Sequence, residues 1–273
     1  MYWVLGILLF VVIGYFVDRE IYFYEGVRLG PRVQAWLYDR WSRKYDGYKT
    51  ESQLHDDEML AQPLLDSLKD VPEPFVLDFA TGTGRLSLAL LNRTEFHGRI
   101  VALDLSQGML EQAASKLRPH ISRFDLLRHL SLPLPFPDAS FDAVCALEVL
   151  ELFQNADEPL AEFSRVIRPG GVLLTSRGTE ASGRKAKVKS AAEYTSMLER
   201  HGFENIHITK WWKWFDRILA GKSGNSEPVR KHALQDVLKC SCGEIRWEQK
   251  QNSLCCGHCS RELIVTKEEI VLN

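Results

Sequence analysis

The stretch VLDFATGTGRLSLAL, Val76 to Leu90, joins an apolar run to an apolar-periodic helix through a turn that carries two glycines. A strand, a turn and a helix in that order bring backbone N–H groups and the positive end of a helix against a ligand. Gly82 and Gly84 let the chain turn sharply and let a ligand approach with no Cβ in the way. Asp78 closes the first apolar run, and Asp104 closes the next one, GRIVALDLS, twenty residues beyond Gly84. That is the distance at which an acidic side chain receives ribose hydroxyls in a nucleotide-binding βαβ unit. A dinucleotide fingerprint would need a third glycine where Ser87 stands, and Asp78 at the strand end would repel a diphosphate. A carboxylate there suits a cationic ligand.

A second cluster of chemistry lies far downstream. Five of the six cysteines fall between positions 240 and 259, in LKCSCGEIRWEQKQNSLCCGHCSREL. Two cysteine pairs on turns, separated by a strand-like EIRWEQ, suit tetrahedral Zn2+ held by four thiolates, here Cys240, Cys242, Cys256 and Cys259. The first pair is one residue tighter than C-x-x-C, and Cys255 and His258 are alternative ligands. Four protein ligands leave no open position, so such a metal is structural. Cys145 reads as a core side chain.

The glycine turn resembles motif I of class I S-adenosylmethionine (SAM) methyltransferases, D-x-x-x-G-x-G, with Ala80 where many members carry another glycine. Two later segments extend the resemblance. LPLPFPDASFDAVCALEVLELF looks like the family's strand 4 region, and EFSRVIRPGGVLLTS looks like its approach to strand 5, with a turn at Pro169 to Gly171. The likeness runs from about Tyr38 to Lys222 and is nearest the small-molecule and quinone-type group (methyltransferase type 11). It implies an α/β, Rossmann-like, doubly wound seven-stranded sheet that binds SAM. It further implies cofactor contacts from Asp78, Ala80, Thr81, Gly82, Gly84, Asp104 and Leu105, and from Tyr45, whose Tyr45-Asp46 matches a pair in the N-terminal helices of that group. The family's acid for the adenine amine is missing. Arg128, His129 and Leu130 occupy its place and Asp125 comes too early, which leaves adenine to backbone groups and apolar packing.

Methyl transfer from a sulfonium is an in-line displacement on an activated carbon, so alignment in a dry cavity does most of the work. A general base is needed only where the acceptor must lose a proton; Glu148, Glu151 and His129 are the candidates.

The elements that must position these residues follow from composition. With 273 residues and a net charge of -2, the chain can bury one large core and shows no global attraction to nucleic acid. Residues 1–17 carry no charge and read as a transmembrane anchor, with aromatic residues at both ends and basic residues only after it. That asymmetry predicts a single-pass protein whose catalytic domain faces the cytoplasm, where clustered cysteines bind metal. Residues 18–70 then form a helical cap with Trp36, Leu37, Trp41 and Tyr45 at helical spacing, 71–222 the methyltransferase domain, 223–237 a linker and 238–273 a zinc ribbon. Within the domain, the aromatic ITKWWKWFDRILAGK reads as sheet-edge packing rather than a nucleic-acid platform.

The expected activity is methyl transfer to a lipophilic small-molecule acceptor. The ribbon resembles small zinc-binding activators of translation-related methyltransferases and ribbons fused to ribosomal RNA methyltransferases, which implies an RNA or protein partner as the alternative. A non-catalytic SAM-binding scaffold is the third reading.

Overall fold

The computed structural model describes residues 2–182, 188–230 and 233–273. Met1, residues 183–187 and residues 231–232, which fall in the expected anchor, methyltransferase and linker segments, lie outside the described residues.

The chain opens with α1 (Tyr2–Phe16), apolar throughout and exposed along its whole length. Asp18, Arg19 and Glu20 end the apolar run inside a π-helical turn, Val17–Phe23. Fifteen residues rise only about 22 Å against roughly 30 Å of hydrocarbon. No helix among the described residues is long and apolar enough to cross a membrane, so the expected transmembrane span is corrected to a shorter apolar helix. α2 (Pro31–Gln53) and α3 (Gln62–Ser67) complete the N-terminal cap.

The sheet and its helices follow: β1 (Phe75–Phe79), α4 (Arg85–Leu91), β2 (Arg99–Asp104), α5 (Gln107–Leu117), β3 (Phe124–Arg128), β4 (Phe141–Ala146), α6 (Asp157–Val166), β5 (Ile167–Gly178), α7 (Ala191–Arg200), β6 (Phe203–Trp212) and β7 (Phe215–Lys222). β1 to β5 are parallel and buried on both faces, which is why they read as continuous apolar runs. The expected Pro-Gly-Gly turn is instead a bulge inside β5. Phe141 pairs with Ile167 and Ala143 with Val172, and Gly170 takes φ +76°. The aromatic stretch folds as the antiparallel β6–β7 hairpin at one edge.

After β7 the chain runs under the amino-terminal ends of the strands. Asp142 at the start of β4 accepts from Val229 N at 3.1 Å, and Asp125 near the start of β3 accepts from Leu234 N at 3.2 Å. α8 (Leu234–Val237), β8 (Trp247–Gln249), β9 (Ser253–Cys256), β10 (Glu262–Val265) and β11 (Ile270–Leu272) then build the cysteine-bearing unit. β11 pairs in parallel with β3, so the sheet has eleven strands among the described residues, in the order β6-β7-β5-β4-β1-β2-β3-β11-β10-β9-β8, where seven were expected. Its Leu238, Trp247, Leu254 and Leu263 belong to the same buried cluster as Phe75 and Phe141. The cysteine-bearing unit is part of the fold.

Candidate functional site

At the carboxyl ends of the parallel strands lies a cavity of about 350 Å³, where an open α/β sheet binds ligands. Gly82 and Ala80, both with positive φ, form its floor, and Asp104, Leu105 and Met109 its flank. A Cβ built on Gly82 would stand in ordinary contact, 3.9 Å from the Tyr45 ring of α2, so what favours glycine here is its φ of +56°. Asp104 is buried and receives Gly82 N and Ser106 N, each at 2.8 Å, one on each carboxylate oxygen. Burial pushes its carboxyl up to about 6, against backbone N–H groups that pull it down. Each oxygen keeps a lone pair for hydroxyl donors in the cavity.

The other residues of the glycine turn build it from outside. Asp78 does not line the cavity: its Oδ2 receives Thr81 Oγ1 at 2.7 Å and Ser87 Oγ at 2.6 Å, bracing the turn, and burial raises its carboxyl. Thr81 N donates to Leu103 O at 3.0 Å, which ties the turn to β2. Gly84 caps α4 with φ +77°, and a Cβ there would press on Ala113 of α5 at 3.1 Å. Five of the expected cofactor residues therefore meet the cavity (Ala80, Gly82, Asp104, Leu105, Tyr45), while Asp78, Thr81 and Gly84 position them.

α2 roofs the cavity. Asp46 accepts from Thr83 Oγ1 at 2.6 Å and pairs with Lys116 at 2.5 Å, and Asp39 accepts from Ser106 Oγ at 2.6 Å and Gly108 N at 2.8 Å. Tyr38, two helical turns before Tyr45, also lines the cavity, and burial raises the hydroxyls of both. Tyr38 and Met109 were missed from sequence. The seven-residue spacing to Tyr45 was the signal for Tyr38.

Of the candidate bases, Glu148 follows β4 with φ +53° and stands between this cavity and a second pocket lined by Tyr22, Trp41, Tyr48 and Trp214. Its carboxylate is held by Lys49 on one oxygen and, at 3.3 Å, by Arg85 on the other. Glu151 lines the second pocket only. His129 lines the cavity where the adenine acid was missing, with Nε2 3.2 Å from Pro133 O and Nδ1 3.1 Å from Asn273 Nδ2 of the ribbon. Burial lowers its pKa, which favours a neutral ring with both nitrogens engaged. The apolar lining of the cavity includes Leu132, Leu147, Val149, Leu152 and Phe153.

The four cysteines converge. The Sγ atoms of Cys240, Cys242, Cys256 and Cys259 all lie within 4.8 Å of one another, with Cys240–Cys259 and Cys242–Cys256 at 3.6 Å. Four thiolates about 2.3 Å from a tetrahedral Zn2+ sit roughly 3.8 Å apart, so the donor set fits that ion. Cys255 and His258 stand outside this set.

Residues 76–171 match the family model described as "Methyltransferase domain". The ubiquinone/menaquinone biosynthesis C-methyltransferase UbiE of Xanthomonas oryzae pv. oryzae is 31% identical over 175 residues, 63% of this chain and 65% of that protein. The demethylmenaquinone methyltransferase of Lactobacillus johnsonii is 29% identical over 209 residues, covering 64% of this chain and 86% of that protein. The chain thus spans a little under two thirds of the first relative's length. Among solved structures, a putative SAM-dependent methyltransferase from Methanococcus maripaludis superposes with a TM-score of 0.55 at 16% identity, over 69% of this chain and 94% of that one. The [4+2]-cyclase SpnF gives 0.52 at 20% identity, over 62% and 81%, so the likeness speaks for fold alone. Strand order, glycine turn and the family model matched by residues 76–171 agree on a Rossmann-like, methyltransferase-type fold at the centre of this chain.

Proposed function

We propose that the protein transfers a methyl group from SAM to a lipophilic small-molecule acceptor while α1 holds it to a membrane. The observation that carries the reading is one cavity whose lining joins two kinds of chemistry: Gly82 and Asp104, suited to a nucleoside, and an apolar set of Leu132, Leu147, Val149, Leu152 and Phe153. Relatives named for C-methylation in ubiquinone and menaquinone biosynthesis support an apolar acceptor.

In this reading Asp104 accepts the ribose hydroxyls, and the backbone at Ala80 and Gly82 lies against the rest of the nucleoside and the methionine. The acceptor's nucleophilic atom attacks the methyl carbon in line, the carbon–sulfur bond breaks, and S-adenosylhomocysteine leaves. A proton lost by the acceptor passes to solvent or to Glu148, which lines the same cavity. The exposed apolar α1 buries itself in the bilayer's apolar layer. Zn2+ on Cys240, Cys242, Cys256 and Cys259 supplies a structural cross-link for the ribbon; a chelator is expected to release the metal and expose Trp247, whose indole donates to Leu238 O at 2.7 Å, as a red shift in its fluorescence.

The test is calorimetric titration of SAM into the full chain in detergent, beside Asp104→Ala, followed by transfer of labelled methyl to lipid extracts. Binding in the micromolar range, lost in the variant, is expected. No binding by folded protein overturns the reading.

A further inference from the structure

Over residues 32–46, α2 sorts its charges by face. Its acids Asp39 and Asp46 turn inward, bonded to Ser106, Gly108, Thr83 and Lys116 around the cavity. Outward it shows Arg32, Trp36, Arg40, Arg43 and Lys44, all exposed. At about 100° per residue, the first four fall within roughly a quarter-turn arc, so they form one stripe. Trp36 is 54% exposed, and the Arg40 guanidinium lies 5.2 Å from its ring centroid. Between residues 31 and 48 no acid is exposed; the next exposed acid is Glu51. None of the four basic side chains is in an ion pair among the described residues.

We infer that this stripe is a docking surface for the anionic headgroups of a lipid bilayer, so that the helix roofing the cavity lies on the membrane. The inference rests on the reading of α1 as membrane-inserted. Three features favour a bilayer over other polyanions. The stripe begins sixteen residues after an exposed helix of fifteen apolar residues, which no nucleic acid would cover. An indole beside arginines suits the interface, where a ring is half buried and its neighbours reach phosphates. The charge is of one sign on a chain with a net charge of -2, so it is local to this face.

The experiment is flotation of the full chain with vesicles of phosphatidylcholine alone or mixed with phosphatidylglycerol, for the unaltered protein and for the combined variant Arg40→Glu, Arg43→Glu, Lys44→Glu. All three side chains are exposed, so the variant is expected to melt like the parent and to bind SAM equally. Each basic residue near an anionic surface gives roughly fivefold in partitioning. The unaltered chain should therefore prefer the mixed vesicles by on the order of tenfold or more, falling with added salt, and the variant should lose that preference while keeping its binding to phosphatidylcholine. Equal partitioning of the unaltered chain onto both vesicles overturns the inference and leaves the reading of α1 intact. Salt-sensitive capture by RNA, with no preference for the mixed vesicles, overturns it in favour of a nucleic acid. Failure to bind phosphatidylcholine with binding to the mixed vesicles retained overturns the reading of α1 and supports the stripe.

Discussion

Two buried aspartates sit at opposite ends of the same sheet, and their neighbours give them opposite tasks. Asp142, at the amino-terminal end of β4, is fully buried and accepts from Phe75 N at 2.9 Å, Val229 N at 3.1 Å and the Arg168 guanidinium at 2.6 Å. Its charge is neutralised by a cation and its oxygens are occupied by β1 and the returning chain. Asp104, at the carboxyl end of β2, receives backbone N–H groups and no cation among the described residues, and it faces a cavity. A saturated carboxylate holds structure together; an under-saturated one waits for a ligand's donors.

The largest effect that would test this contrast is on stability. Asp142→Ala leaves Arg168 buried without its partner and is expected to cost about 3–5 kcal/mol in urea unfolding, with the surviving folded protein binding SAM as before. Lost binding in folded Asp142→Ala would break the comparison. Asp104→Ala should show the reverse pattern. Two hydroxyl bonds to a carboxylate contribute about 1.5–3 kcal/mol each, so calorimetry should find affinity down by on the order of a hundredfold or more, with a smaller stability loss of about 1–3 kcal/mol from leaving Gly82 N and Ser106 N without their acceptor.

The pH dependence sharpens the same point. Asp104 titrates near 3.8 when unfolded and near 6 in the fold, so between those values the native state holds the extra proton. Folding stability contributed by this group is therefore full below the lower value and is lost as pH rises to the upper one, by at most about 1.4 kcal/mol per pH unit. Cofactor affinity moves the other way: hydroxyl donors select the carboxylate, so affinity should rise as pH climbs through about 6 and level off above it. Asp104→Asn should flatten the profile, whereas Asp142→Asn should not. The smallest effect is expected at Gly84, a cavity neighbour that touches no ligand. Gly84→Ala meets Ala113 at 3.1 Å with φ +77° and should lower stability by about 1–2 kcal/mol, leaving affinity within a factor of a few.

The site was legible from sequence where its residues are close along the chain. The strand, the turn and Asp104 lie within one βαβ unit, so spacing alone placed them. The four cysteines were legible for the same reason, since a tetrahedral site constrains short loops. Asp78 was misjudged. Its position suggested a partner for a cationic ligand, but the hydroxyls of Thr81 and Ser87 fold back onto it. Glu148 was visible only as an acid after a strand, because its partners Arg85 and Lys49 lie 63 and 99 residues away.

By itself, then, the sequence determined the strand-turn-helix unit, the ribose-spaced aspartate, the clustering of four cysteines and an apolar first helix, all products of local geometry and periodicity. The tertiary structure decided which residues of the turn face the cavity, that α2 points Asp39 and Asp46 inward and Arg32, Arg40, Arg43 and Lys44 outward, and that β11 joins β3 and brings Asn273 to His129. Those outcomes depend on which surfaces the chain buries against each other over long separations, and no local spacing encodes that choice.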